Sequence, residues 1–132
     1  AIRRLTVYHE DLVVNNIHSI VLALVQEVKN LRSQVSRFAL LTFGDLFTYL
    51  KKFMDVDLDL AVKNILQKNG ESNDFIRSDV EKCMDKMINN VTTSKAMLAL
   101  LNGGASHRNP LVRRTTAQYV YKCCEIMGPG KL

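Results

Sequence analysis

Long apolar runs are missing from this sequence of 132 residues. The densest cluster, Ile20 to Val25, is far too short to span a bilayer, and no basic-apolar-small signal opens the chain. A soluble, intracellular protein is therefore expected. Cysteine is scarce as well. Cys83, Cys123 and Cys124 are odd in number, sit in apolar helical frames and contain no C-x-x-C pair, which argues against disulfides and a zinc site and for a reducing compartment. Only two prolines occur, Pro110 and Pro129, both at margins of helical patterns. No stretch alternates apolar and polar residues in the manner of a strand. Acidic residues are outnumbered, 13 against 18 lysines and arginines, for a net charge of +5. That balance favours an acidic partner, and where the charge lies must decide between nucleic acid, membrane surface and protein. An apolar share of 47% is ample for the core of one domain.

What is present is a repeating helical frame. Val35, Ala39, Phe43 and Phe47 recur every fourth residue, the spacing that stacks side chains along one helix face. Ile76, Val80, Met84 and Ile88 repeat the frame, and Val112, Thr116, Val120 and Cys124 repeat it again. Ile76 follows Val35 by 41 positions and Val112 follows Ile76 by 36, a period that marks a solenoid of helix pairs. Together these readings predict an all-α fold, an α-solenoid of HEAT-like antiparallel helix pairs forming a single unit over residues 1–132.

Taken in order, residues 1–8 read as the tail of a preceding helix, and three pairs follow at about 10–53, 57–91 and 93–127, joined by links short enough to make neighbours antiparallel. The first helix carries Leu12, Val13, Ile17, Val21, Leu24, Val25 and Val28 on one side. In the next, Gly44 points to a close helix crossing. A brief helix built on Leu58, Val62, Ile65 and Leu66 is expected to stop at Asn69-Gly70. Asn73 then stands as an N-cap ahead of Asp74, whose charge suits a helix start. Thr92 to Ser94 offer a cap for a short helix stopped by Gly103-Gly104. Asn109-Pro110 is an N-cap followed by proline at the first helical position, and the last helix ends at Gly128-Pro129-Gly130.

Catalytic and metal chemistry find no footing here. Asp55, Asp57 and Asp59 mimic the opening of a calcium loop, but Leu60 and Leu66 occupy the positions that need glycine and glutamate. His9, His18 and His107 are far apart, have no cysteines at ligand spacing and form no H-E-x-x-H. With no phosphate-cradling loop, nucleophile elbow or partnered carboxylate pair, neither an enzyme nor a cofactor is expected. Asn90-Val91-Thr92 matches a glycosylation sequon by chance in a chain that otherwise reads as cytosolic. The methionines at Met84, Met87, Met97 and Met127 fall at core positions.

Function is therefore sought on the surface. In a solenoid, turns within pairs emerge on one edge and turns between pairs on the other. Windows 29–37, 67–77 and 102–114 carry +3, 0 and +3, whereas 51–59 and 85–95 carry −1 and +1. The basic edge is the one made by the intra-pair turns. Arg37, Arg77 and Arg113, at the starts of second helices, are expected to pack or pair internally. Arg32, Lys68, His107 and Arg108 lie in the turns themselves, with Ser33 and Asn73 beside them, and form the candidate contact set. No aromatic lies in the turns, which speaks against nucleic acid, since single-strand binders stack bases on aromatic rings.

Leu31-Arg32-Ser33-Gln34-Val35 with Arg37, Thr42 and Gly44 resembles a repeat signature of CLASP-type TOG domains. Gly44-Asp45-Leu46-Phe47, Gly70-Glu71-Ser72-Asn73, Phe75-Ile76-Arg77, Gly104-Ala105-Ser106-His107 and Val112-Arg113-Arg114 resemble the crescerin family, the TOG-array regulators of axonemal microtubules. The resemblance covers nearly the whole chain. It implies a partial TOG domain whose three pairs correspond to the third to fifth repeats, with the family's basic loop positions near Arg32, Lys68 and Arg108. It also implies tubulin heterodimer or microtubules as partner and a place in the cytoplasm, on the cytoskeleton, in the cilium axoneme or at the basal body. The alternative is a HEAT- or ARM-type scaffold that binds a non-tubulin acidic protein or acts as a structural spacer.

Overall fold

The computed structural model describes residues 16–128. The helix tail at 1–8, the opening of the first helix at 10–15, His9 and the stop at Pro129-Gly130 lie outside the described residues. Within them the chain folds as α1 (Ile17–Val28), α2 (Ser33–Leu50), a 3-10 segment (Lys51–Asp57), α3 (Leu58–Gln67), a short 3-10 turn (Lys68–Gly70), α4 (Asp74–Asn90), α5 (Thr93–Gly104) and α6 (Pro110–Met127). No strand occurs among the described residues. The fold is all-α, as the periodicity requires.

Each helix buries one stripe. On α1 the buried residues are Ile17, Val21, Leu24, Val25 and Val28, an i, i+3, i+4 pattern that leaves Gln26 and Glu27 in solvent. Helix α1 packs on α2 and α5 on α6, while α2 lies against α4 and α3 against α5. Two layers result, α1, α3 and α5 in one and α2, α4 and α6 in the other, with a continuous core between them. Phe43 and Phe47, both fully buried, stack at the centre of this core with ring centroids 6.2 Å apart. The repeating frame faces this core along most of its length, but Val35 is only half-buried and Val120 packs on the core from its margin. Val35 lies in the first turn of α2, whereas Val120 and the half-buried Cys124 lie in the second half of α6, the last helix of the stack.

Gly128 ends α6 and Gly104 ends α5, as expected, and several glycines also serve close approach. Gly128, with φ of 81°, is the sole positive-φ glycine among the described residues. Gly103 and Gly104 are the last two residues of α5, and their function is close approach: a Cβ at Gly104 would collide with Thr116 Oγ1 on α6, and one at Gly103 would lie 3.1 Å from the Lys63 backbone on α3. At Gly70 a Cβ would come within 2.6 Å of Asn109 Nδ2. Gly44 does mark a close crossing, since the Lys86 side chain on α4 lies 3.1 Å from where its Cβ would stand. Thr92 precedes α5 but makes no side-chain cap, because its hydroxyl is engaged elsewhere.

Phe43→Ala should cost about 3–5 kcal/mol, the range for emptying a fully buried aromatic site, and so consume much of the stability of a domain this size. Chemical denaturation monitored by helical circular dichroism is the measurement; an unchanged midpoint would remove Phe43 from the core.

Candidate partner-binding edge

The three turns within pairs, 29–32, 68–73 and 105–109, are built by local devices. Asn73 Oδ1 accepts the N–H of Phe75 at 2.9 Å and of Ile76 at 3.3 Å, capping α4. Asn109 Oδ1 accepts from Leu111 N–H at 2.8 Å, and Pro110 holds the first helical position of α6. In the first turn Arg32 precedes α2 without a side-chain cap. Asn30 Oδ1 instead accepts the Arg32 N–H at 2.9 Å and fixes the turn from its own start.

The arginines at the starts of second helices fold back. Arg77 Nη1 donates to Glu71 O at 3.2 Å, and Arg113 Nη1 donates to His107 O at 2.7 Å and Arg108 O at 3.0 Å. In both turns an arginine reaches the carbonyl six residues before it, so the device repeats with the fold. Arg37 crosses to α4, where Nε donates to Asp79 Oδ2 at 2.7 Å and the guanidinium sits 5.1 Å from the Phe75 ring.

Adjacent turns are bonded to one another. Lys68 Nζ donates to Asn30 O at 3.4 Å and to Glu71 Oε1 at 3.1 Å. Asn69 Nδ2 donates to Leu111 O at 3.2 Å and to Thr115 Oγ1 at 2.5 Å. The first turn is thus tied to the second and the second to the start of α6, so the turns form one continuous row. This corrects the expectation for Lys68. Its side chain is buried, and its ammonium holds the row together instead of facing solvent.

Of the other candidate residues, Arg32, Ser33 and Arg108 are exposed. His107 is half-buried, with Nδ1 accepting the Asn109 N–H at 3.0 Å, and Asn73 is occupied as a cap. Ion pairing also redistributes the charge. Arg37 is matched by Asp79, Lys68 by Glu71 and Arg77 by Asp74, while Lys29, Arg32, Arg108 and Arg113 have no carboxylate partner among the described residues. Sequence reasoning missed Leu31, which is 100% exposed at the tip of the first turn. Its signal was an apolar residue in a turn that no helical frame claims.

On the opposite edge, where charges of both signs occur, two acids bind protein groups. Asp55 accepts from the Thr92 N–H at 3.2 Å and from the Thr92 hydroxyl at 2.5 Å, and Asp57 Oδ1 lies 2.8 Å from His18 Nδ1. Two of the three carboxylates that mimicked a calcium loop therefore bind protein groups while Asp59 is exposed, and among the described residues no cluster of three or more metal-ligating side chains forms. The sequon is occupied too: Asn90 Nδ2 donates to Lys86 O at 2.7 Å. Cys83, Cys123 and Cys124 are free thiols. Burial pushes the Cys83 thiol well above its usual range and that of Cys123 up to about 11, so neither is poised as a thiolate. No helix among the described residues is long and apolar enough to cross a membrane.

A two-layer stack of antiparallel helix pairs with a bonded row of intra-pair turns is a HEAT-like α-solenoid. The model of the CLASP N-terminal family matches residues 6–128, and the chain belongs to that family. It is 52% identical over 131 residues to TOG array regulator of axonemal microtubules protein 1 of Mus musculus, covering 99% of this chain and 7% of that protein. The Homo sapiens protein of the same name is 53% identical over 103 residues, 78% of this chain and 6% of its own length. Crescerin-like protein che-12 of Caenorhabditis elegans is 33% identical over 122 residues, 92% of this chain and 10% of that protein. The chain thus spans a tenth or less of the length of these curated relatives. No solved structure matches it.

Lys68→Ala should destabilise the fold by about 1–2 kcal/mol, through lost packing of its stem and lost bonds to Asn30 and Glu71, whereas Arg108→Ala should stay within about 0.5 kcal/mol of the parent. Asn109→Ala should cost about 1 kcal/mol as a lost cap. Thermal melts of the three variants test the assignment of roles; equal effects for Lys68 and Arg108 would refute it.

Proposed function

We propose that this chain is a protein-binding module of a microtubule regulator, and that it engages tubulin through its intra-pair turns. The observation that carries the reading is the bonded row of turns, in which Lys29, Arg32, Arg108 and Arg113 remain without carboxylate partners along one edge. A rigid row of uncompensated cations suits a broad acidic protein surface, since complementary potentials steer encounter and suppress wrong partners. Arg32, Ser33, His107 and Arg108 are the contact residues in this reading, with Asn73 and Lys68 shaping the turns beneath them. Leu31 adds an apolar point to the same edge. The relatives' names, which specify axonemal microtubules, support a tubulin partner and a ciliary setting.

The test is binding to purified tubulin heterodimer at two ionic strengths. Arg32→Glu with Arg108→Glu should weaken association and flatten its salt dependence, because exposed charges act chiefly on encounter rate. Lys51→Glu with Lys52→Glu makes the same charge change on the opposite edge and should leave tubulin binding nearly unchanged. Both pairs should melt with the parent, as exposed charges contribute little to folding. Equal loss in both would reduce the attraction to bulk charge, and absence of tubulin binding by the parent would give the lead to a scaffold for another acidic protein.

A further inference from the structure

The end of α2 carries a conflict between residue and backbone. Lys51 has φ of 52° and ψ of −121°, in the left-handed half of conformational space where a Cβ crowds the chain and glycine is favoured. It is the sole non-glycine residue with positive φ among the described ones. The Lys51 N–H still makes the last helical bond, to Phe47 O, and the residue's own φ and ψ then turn the chain out of α2, a task a glycine would perform with less strain. A residue held against its local preference is a mark of a functional position when its side chain faces an open site.

Such a site is present. A cleft of about 610 Å³ lies between the ends of α2 and α4, lined by Tyr49, Leu50, Lys51, Lys52, Phe53 and Asn90. Tyr49 and Phe53 expose 41% and 52% of their surface here. Lys51 and Lys52 are exposed and have no carboxylate partner among the described residues, and no acid is among the described residues that line the cleft. Asn90 uses its amide nitrogen on Lys86 O, which leaves its side-chain oxygen able to accept a hydrogen bond from an incoming N–H.

From this combination we infer that the cleft is a second binding site, on the edge opposite the turns, for an extended acidic peptide segment with an apolar residue between its carboxylates. The lysines meet the carboxylates, the exposed rings of Tyr49 and Phe53 meet the apolar side chain, and Asn90 Oδ1 receives a backbone N–H. The last contact fits a peptide better than a small acid. The site stands apart from the tubulin-binding reading and does not rest on it.

The probe is a fluorescein-labelled hexapeptide with a central leucine-phenylalanine pair and two glutamates on each side, followed by fluorescence anisotropy. The parent should bind it saturably, and a peptide with lysines in place of the glutamates should not bind. Lys51→Gly with Lys52→Glu should weaken binding by about tenfold or more without lowering the melting temperature, since glycine suits the backbone at position 51. Phe53→Ser should weaken it as well, whereas Arg32→Glu with Arg108→Glu should leave it unchanged. No saturable binding by the parent up to millimolar concentration, undiminished binding by the Lys51 and Lys52 variant, or equal loss in the Arg32 and Arg108 variant would overturn the proposal.

Discussion

A single pair of short helices cannot bury its own apolar face, and the rest of this structure follows from that constraint. Helix α2 needs α4 to cover Phe43 and Phe47, and α3 needs α5 to cover the stripe through Ala61, Val62 and Ile65. Stacking pairs in this way fixes more than the core. Every intra-pair turn must emerge beside the one before it, so a row of turns is a geometric by-product of burial. The glycines belong to the same logic. Gly104 lets α5 and α6 approach until a side chain would collide with Thr116, and Gly70 lets the second turn lie directly against Asn109.

Once turns stand side by side, their polar groups must be satisfied, and the cations of this chain divide accordingly. Arg77 and Arg113 close their own turns by taking carbonyls, Lys68 bridges from one turn to the next, and Arg37 joins α2 to α4. These are structural uses of positive charge, part-buried at Lys68 and Arg77 and exposed at Arg37 and Arg113, and hydrogen bonds to charged donors are the stronger kind. The exposed remainder, Arg32 and Arg108 above all, contributes little to folding. Net charge read from windows therefore overstates what is available to a partner, yet the sign of the edge survives because its acids are the residues that pair internally.

Local signals were legible in the sequence, and signals that depend on a distant element were not. Asn73 and Asn109 cap the helices that follow them because a cap needs only the next few residues. The all-α class was legible for a similar reason, since one face of a helix repeats at short range. Lys68 was misread as a free turn residue because its acceptor, Asn30 O, lies 38 positions away. Gly103 and Gly104 read as stops because glycine is common past a helix end, but their neighbours Lys63 and Thr116 come from other helices. Thr92 read as a cap until Asp55, 37 positions earlier, was found to hold its hydroxyl. Lys51 gave no signal at all, since nothing in Leu50-Lys51-Lys52 announces a positive φ.

The two edges differ in the kind of recognition they can support. On the turn edge the free charges are spread along a row and hydrated, so their effect falls away with salt over roughly 10 Å and bears more on how fast a partner arrives than on how long it stays. Residence needs buried apolar contact, and on this edge Leu31 is placed to supply it. Its turn is pinned from both sides, by Asn30 Oδ1 on the Arg32 N–H and by Lys68 on Asn30 O, so an exposed leucine is presented with little conformational freedom left to lose on binding. The cleft beside Lys51 concentrates both ingredients in one place, charge next to aromatic surface, which suits the short segment proposed for it, whereas the spread charges of the turn edge suit the broad surface proposed there. Because the core holds the edges apart, a change in charge on one leaves the geometry of the other intact, and the solenoid can carry two kinds of recognition without either distorting the fold that supports it.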